Sequence, residues 1–136
     1  MADFVLDASV AAAWCFTDET TPYTEGVLSA VSGQMDATVP RLWAYEIRNS
    51  VLRGVQRKRI MQADADSFLQ SLPDLCISLT DPVSYDSLFA LAIRHGLTVY
   101  DAAYLDLAIR ESLPLATLDN ALIRAAGQSN VELFRP

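Results

Sequence analysis

The chain has 136 residues, 51% hydrophobic and 20% charged, a composition and length that predict one folded domain over residues 1–136 with a sizeable core. Its formal charge of −7 argues against indiscriminate nucleic-acid binding, which needs a basic surface. No apolar run reaches the roughly 18–20 residues of a membrane span. The start Met1-Ala2-Asp3 carries no signal core, and Cys15 and Cys76 are isolated, so a cytoplasmic protein with buried thiols is expected.

In chain order, Phe4-Val5-Leu6 is a short apolar run that fits a strand buried on both faces. Asp7 or Ser9 then suits the cap of a short helix through Trp14. Thr21-Pro22 predicts a helix start, Thr as N-cap and Pro at the first position, running to Ser32 with Gly33 as its stop. Ala37-Thr38-Val39 reads as a strand ended by Pro40. The strongest helix spans Leu42 to Arg59, its apolar positions being Leu42, Tyr45, Val51, Leu52 and Val55. Helix Ala63 to Leu72, closed by Pro73, and strand Leu75 to Leu79 follow. Asp81-Pro82 predicts another cap and first turn, with the helix continuing to His95 and Gly96. A helix from Tyr100 to Ser112, a strand Leu115 to Thr117, a helix Asn120 to Ala126 and a last strand Val131 to Leu133 complete the pattern. Apolar strands alternating with amphipathic helices predict a three-layer α/β/α domain with a largely parallel sheet. Ligands of such sheets bind at the carboxyl ends of the strands.

That is where Asp7 falls, directly after its strand, and "LPLATLD" repeats the arrangement with Asp119 two residues beyond Thr117. Two helix-borne acids join them as candidates: Glu46 in "LWAYEIRNSVLR" and Asp101 in "TVYDAAYLDLA", both set among apolar residues. Each also has a plainer explanation. Asp7 and Asp119 suit helix caps, Asp101 suits a first helical turn, and Glu46 suits a solvated acid paired with Asn49 or Ser50. Four crowded carboxylates would hold protons unless a cation neutralised them. Oxygen ligands suit Mg²⁺ or Mn²⁺, and the lack of a Cys/His cluster argues against zinc. Such a site activates water and stabilises charge at a phosphate.

Helix spacing places Asn49 and Arg53 on the face of Glu46, where Arg53 is a candidate phosphate contact. Five of the ten basic residues lie between Arg48 and Arg59, and the default for this stripe is a solvated helix end. Asp106 turns well off the face of Asp101 and reads as a solvated acid. His95 fits a helix C-terminus, and Trp14 and Trp43 fit the core or an interface.

Taken in order, "LDAS", "E-I-R-N-S-V-L", "YDAAYLDLA" after "HGLTV", and "LATLD" resemble the PIN domain, and within it the VapC-type toxins of toxin–antitoxin pairs. The resemblance covers nearly the whole chain. It implies a Mg²⁺- or Mn²⁺-dependent endoribonuclease whose acidic quartet is Asp7, Glu46, Asp101 and Asp119, with Ser9 and Thr117 as hydroxyl-bearing supports. No carboxylate of the quartet is missing. It further implies a homodimer and a cognate antitoxin whose C-terminal segment covers the active site. Two other classes compete. A haloacid-dehalogenase-type phosphatase needs a second acid where Ser9 stands. A receiver domain needs a late lysine, whereas Lys58 is the only one. A metal-binding interaction module without turnover is the non-enzymatic alternative.

Overall fold

Phe4, Val5 and Leu6 have no exposed surface, and this triplet forms the first strand, β1 (Phe4–Leu6). The computed structural model describes residues 1–136. Four strands make one parallel sheet: β1, β2 (Ala37–Pro40), β3 (Ile77–Thr80) and β4 (Leu115–Ala116), in the order β3-β2-β1-β4. Seven α-helices connect and cover it: α1 (Ala8–Ala13), α2 (Pro22–Val31), α3 (Leu42–Gln56), α4 (Gln62–Ser71), α5 (Tyr85–His95), α6 (Val99–Glu111) and α7 (Asn120–Gln128). The expected α/β class with a parallel sheet is therefore the observed one.

The strand order fixes where chemistry can happen. The chain steps outward from β1 to β2 to β3, then crosses back to lay β4 on the other side of β1. The reversal leaves a crevice at the carboxyl ends of β1 and β4, the position at which open parallel sheets bind ligands. Register there is tight, with Leu6 beside Ala116 and the Asp7 amide donating to the Ala116 carbonyl at 2.9 Å.

Local rules account for most boundaries. Thr21 caps α2 in a reciprocal box with Thr24, and Pro22 sits in the first turn. Gly96 takes φ 65°, the left-handed conformation that lets it end α5 without a Cβ penalty. On α3 the buried positions are Trp43, Ile47, Val51 and Gly54, a stripe of four-, four- and three-residue steps. Tyr45 and Leu52, expected on that stripe, are 78% and 52% exposed instead.

Three further expectations are corrected. Helix α5 begins at Tyr85, capped by the Ser84 hydroxyl accepting from the Ser87 amide at 3.3 Å, and not at Asp81-Pro82. The Asp81 carboxylate is already engaged by Arg41, so it does not cap. The last strand reduces to a single bridge between Leu115 and Leu133. Strand β4 has only two residues before Thr117 turns toward the crevice, and the tail instead stacks Phe134 on Phe4 with ring centres 3.8 Å apart. Asp106, read as a solvated acid, has a side chain only 13% exposed and pairs with Arg110 at 3.7 Å on α6.

Candidate active site

Asp7 occupies the N-cap position of α1 but makes no capping bond. Its Oδ2 accepts from the Ser9 hydroxyl at 2.6 Å and from the Thr117 hydroxyl at 2.8 Å. The plainer explanation of Asp7 as a cap therefore fails, while Ser9 and Thr117 take the supporting positions expected of them. Both hydroxyls also tie the two strand ends together. The Asp119 amide donates to Thr117 Oγ1 at 3.0 Å, and the Leu118 amide donates to Ser9 Oγ at 3.0 Å.

Asp119 is a cap as well as a candidate ligand: its Oδ2 accepts from the Leu122 amide at 2.9 Å, which starts α7. Asp101 lies in the first turn of α6, its amide held by the Thr98 hydroxyl at 3.1 Å. Glu46, half-buried one turn into α3, has its Oε1 bound by the Tyr104 hydroxyl at 2.5 Å. Asp7, Glu46 and Asp119 thus share one design. One carboxylate oxygen is anchored to the chain, and the other takes no side-chain donor.

Neighbouring charges act between these acids: Asp119 on Asp7, Asp7 and Asp101 on Glu46, and Asp119 and Asp7 on Asp101. Burial raises the Asp7 carboxyl above its usual acidity; the Ser9 and Thr117 hydroxyls partly offset this, and the nearby Asp119 charge adds to it. Burial likewise raises Glu46, opposed by Tyr104 and reinforced by Asp7 and Asp101. Asp101 is raised by burial and then by the charges of Asp119 and Asp7. Tyr104, wholly buried, is driven far up by burial and by Glu46, so its hydroxyl remains a donor at any ordinary pH.

Crowded, desolvated carboxylates of this kind fit a divalent cation. No three acidic, histidine or cysteine side chains already stand at coordination distance of a common point. The acids line none of the larger concavities. One of these, about 620 Å³, lies over β2 and β3 and is lined by Asp36, Thr38, Cys76 and Ser78 among others.

Other predicted positions stand apart from the cluster. Asn49 and Arg53 are exposed, and neither side chain bonds to an acid of the site. Arg59 is committed to structure, pairing with Asp18 at 3.0 Å and Glu19 at 2.8 Å, with its guanidinium 4.3 Å from the centre of the Phe16 ring. His95 bridges the ends of α5 and α7, with Nδ1 3.0 Å from Gln128 Oε1 and Nε2 3.3 Å from Ser129 Oγ. Trp14 donates to the Thr24 carbonyl at 2.8 Å and Trp43 is buried, as core residues. Helix spacing sets Tyr104 near Asp101, but its bond to Glu46 is not foreseen from the sequence. What "YDAAYLDLA" shows is a hydroxyl-bearing aromatic three residues after Asp101, hence on the same helical face.

An acidic cluster at the crevice of a short parallel sheet, with hydroxyl-braced strand ends, defines an α/β phosphodiesterase-like site. Residues 4–128 match the model of the family described as "PIN domain", and the chain belongs to that family. Among curated proteins it is 35% identical over 121 residues to Ribonuclease VapC3 of Pyrobaculum aerophilum, covering 87% of this chain and 90% of that one. Among solved structures it is similar to the crystal structure of PAE2754 from Pyrobaculum aerophilum. The TM-score is 0.74 at 24% identity, over 91% of this chain and 84% of the other, a likeness of fold.

Proposed function

We propose that this chain is a VapC-type endoribonuclease, the toxin of a toxin–antitoxin pair, acting as one PIN-like nuclease domain over residues 1–136 with Asp7, Glu46, Asp101 and Asp119 as its catalytic acids. What supports the reading is that among these acids, carried by four different elements near the crevice between β1 and β4, neighbouring charges raise the pKa values of Asp7, Glu46 and Asp101. Family membership and the named ribonuclease relative support the substrate, RNA, and a cognate antitoxin.

Asp7, Asp101 and Asp119 hold Mg²⁺ or Mn²⁺ with Glu46 completing the site, directly or through waters. When bound, such a cation would lower the pKa of a water and stabilise charge building on the phosphate. Ser9 and Thr117 aim Asp7 and favour its charged form against the effect of burial, through two hydroxyl donors on a single oxygen. Glu46 orients the attacking water or takes its proton. Asn49 and Arg53, exposed on the helix that carries Glu46, contact flanking phosphates. An acidic pocket of this kind also suits an arginine from the antitoxin.

The homodimer is supported by an uncovered apolar stripe on α5, where Tyr85, Phe89 and Ile93 recur at four-residue steps and are 78%, 62% and 71% exposed. No helix is long and apolar enough to cross a membrane; a cytoplasmic location and a lack of membrane association belong to the same proposal. The deciding experiment is RNA cleavage by the purified protein in Mg²⁺ or Mn²⁺ against EDTA, beside Asp7→Asn purified identically. Metal-dependent cutting that disappears in the variant is the expected result. Equal cutting by both proteins, or metal binding without any turnover, would remove the nuclease assignment.

A further inference from the structure

Glu46 is the acid that the fold holds least directly. The Asp7 carboxylate is braced by two hydroxyls from its own strand end and the next, and Asp119 is fixed by capping α7. Glu46 has one more side-chain torsion than an aspartate and sits half-buried on α3, with a single hydrogen-bond partner in the whole chain. That partner is Tyr104, 58 residues further on. Tyr104 has no exposed surface and belongs to the main hydrophobic cluster, so its ring is locked by packing and its hydroxyl has a fixed position. It lies three residues after Asp101 on α6. The same helical face therefore carries one acid of the site and the anchor of another.

We propose that Tyr104 is a positioning residue for Glu46: its hydroxyl fixes Oε1 so that Oε2 stays directed at the space shared with Asp7 and Asp101. This rests on the nuclease reading above. A packing role alone would require only the ring. A phenylalanine would supply that equally well, and would avoid bringing a polar atom into the core. The hydroxyl donates to an acid of the site at 2.5 Å, the short range of a hydrogen bond to a carboxylate. Displacement of a catalytic group by about 1 Å can reduce turnover about 100-fold, so an otherwise free glutamate needs such a holder.

The test compares Tyr104→Phe, Glu46→Gln and the double variant, each as the full chain. Three readouts are taken: thermal melting, kcat and KM for RNA cleavage in Mg²⁺, and Mn²⁺ binding followed by the resonance of the free ion without RNA. Tyr104→Phe is expected to melt cooperatively and to lose about 10- to 100-fold in kcat with KM for RNA nearly unchanged. It should also bind Mn²⁺ more weakly, and it should cause no further loss in the Glu46→Gln background. Glu46→Asp, which withdraws the carboxylate from the hydroxyl while keeping its charge, should show the same loss and be equally insensitive to Tyr104→Phe. If Glu46→Gln is impaired but Tyr104→Phe matches wild type in kcat and Mn²⁺ binding, the site stands and the positioning role is wrong. The same conclusion follows if Tyr104→Phe harms the Glu46→Gln background as much as wild type. If Glu46→Gln cleaves as fast as wild type, the reading of the site fails and the positioning role with it.

Discussion

Replacing Thr117 with valine keeps the shape of a buried side chain and removes the hydroxyl that joins the two strand-end acids. Two bonds vanish: one donated to Asp7 Oδ2 at 2.8 Å and one accepted from the Asp119 amide at 3.0 Å. A hydrogen bond to a charged group contributes about 1.5–3 kcal/mol and a neutral one about 0.5–1.5 kcal/mol. The added methyl returns about 0.8 kcal/mol through burial. The net loss is therefore about 2–3 kcal/mol, or about 10 °C in melting temperature for a chain of this size. Thr117→Ser keeps the hydroxyl and should fall between wild type and Thr117→Val. The pH dependence follows from the sign of the Asp7 shift. Burial raises the folded pKa of Asp7 and the Thr117 hydroxyl pulls it back, so the valine variant has the higher value. The charge-dependent part of the hydroxyl's contribution is complete above the variant's Asp7 pKa and disappears below that of wild type. Melting curves in EDTA from pH 7 downward should show the gap between Thr117→Val and wild type narrowing. A valine variant as stable as wild type at pH 7, or a gap that widens in acid, would refute the reasoning.

Two further outcomes are expected. Because Asp7, Glu46, Asp101 and Asp106 all have folded pKa values raised chiefly by burial, the metal-free protein should gain stability as pH falls from neutral through those values. Asp101→Asn should raise the melting temperature in EDTA and flatten this slope while abolishing cleavage; a variant less stable than wild type at pH 7 would contradict it. Gly54→Ala would place a Cβ 2.4 Å from Phe16 Cε1. Overpacking of about 1–3 kcal/mol less about 1 kcal/mol of helix propensity predicts a net destabilisation of about 1 kcal/mol. Thermal melting checks this, and the variant should keep its nuclease activity, since Gly54 lies two turns beyond Glu46.

The fold class was legible because it depends on local grammar, buried triplets such as Phe4-Val5-Leu6 and a Thr-Pro helix start, and the four acids became candidates because they are set into apolar text. What escaped depends on partners distant in sequence. Asp81 has the form of a cap and fails as one because Arg41 claims it. Tyr45 sits in the run of apolar positions on α3, yet the stripe that meets the sheet is rotated to Trp43, Ile47 and Val51. Nothing in the sequence around Tyr104 announces that α3 delivers Glu46 to its hydroxyl. Asp106 looks solvated until the packing of α6 encloses it beside Arg110.

The same contrast explains how the fold tolerates its site. Four acids gathered at one crevice repel one another, and a chain selected for stability alone would not keep them. Each is nevertheless retained by a bond that serves the scaffold as well. Thr117 and Ser9 lock β4 to β1 while bracing Asp7; Asp119 starts α7; Thr98 starts α6 at Asp101; Tyr104 joins α6 to α3 through Glu46. Anchoring consumes one oxygen of Asp7, Glu46 and Asp119 and leaves the other facing a shared excess of negative charge. On the proposed reading a cation would relieve that excess, so the arrangement that makes the metal-free fold less stable would be the one that favours binding the metal.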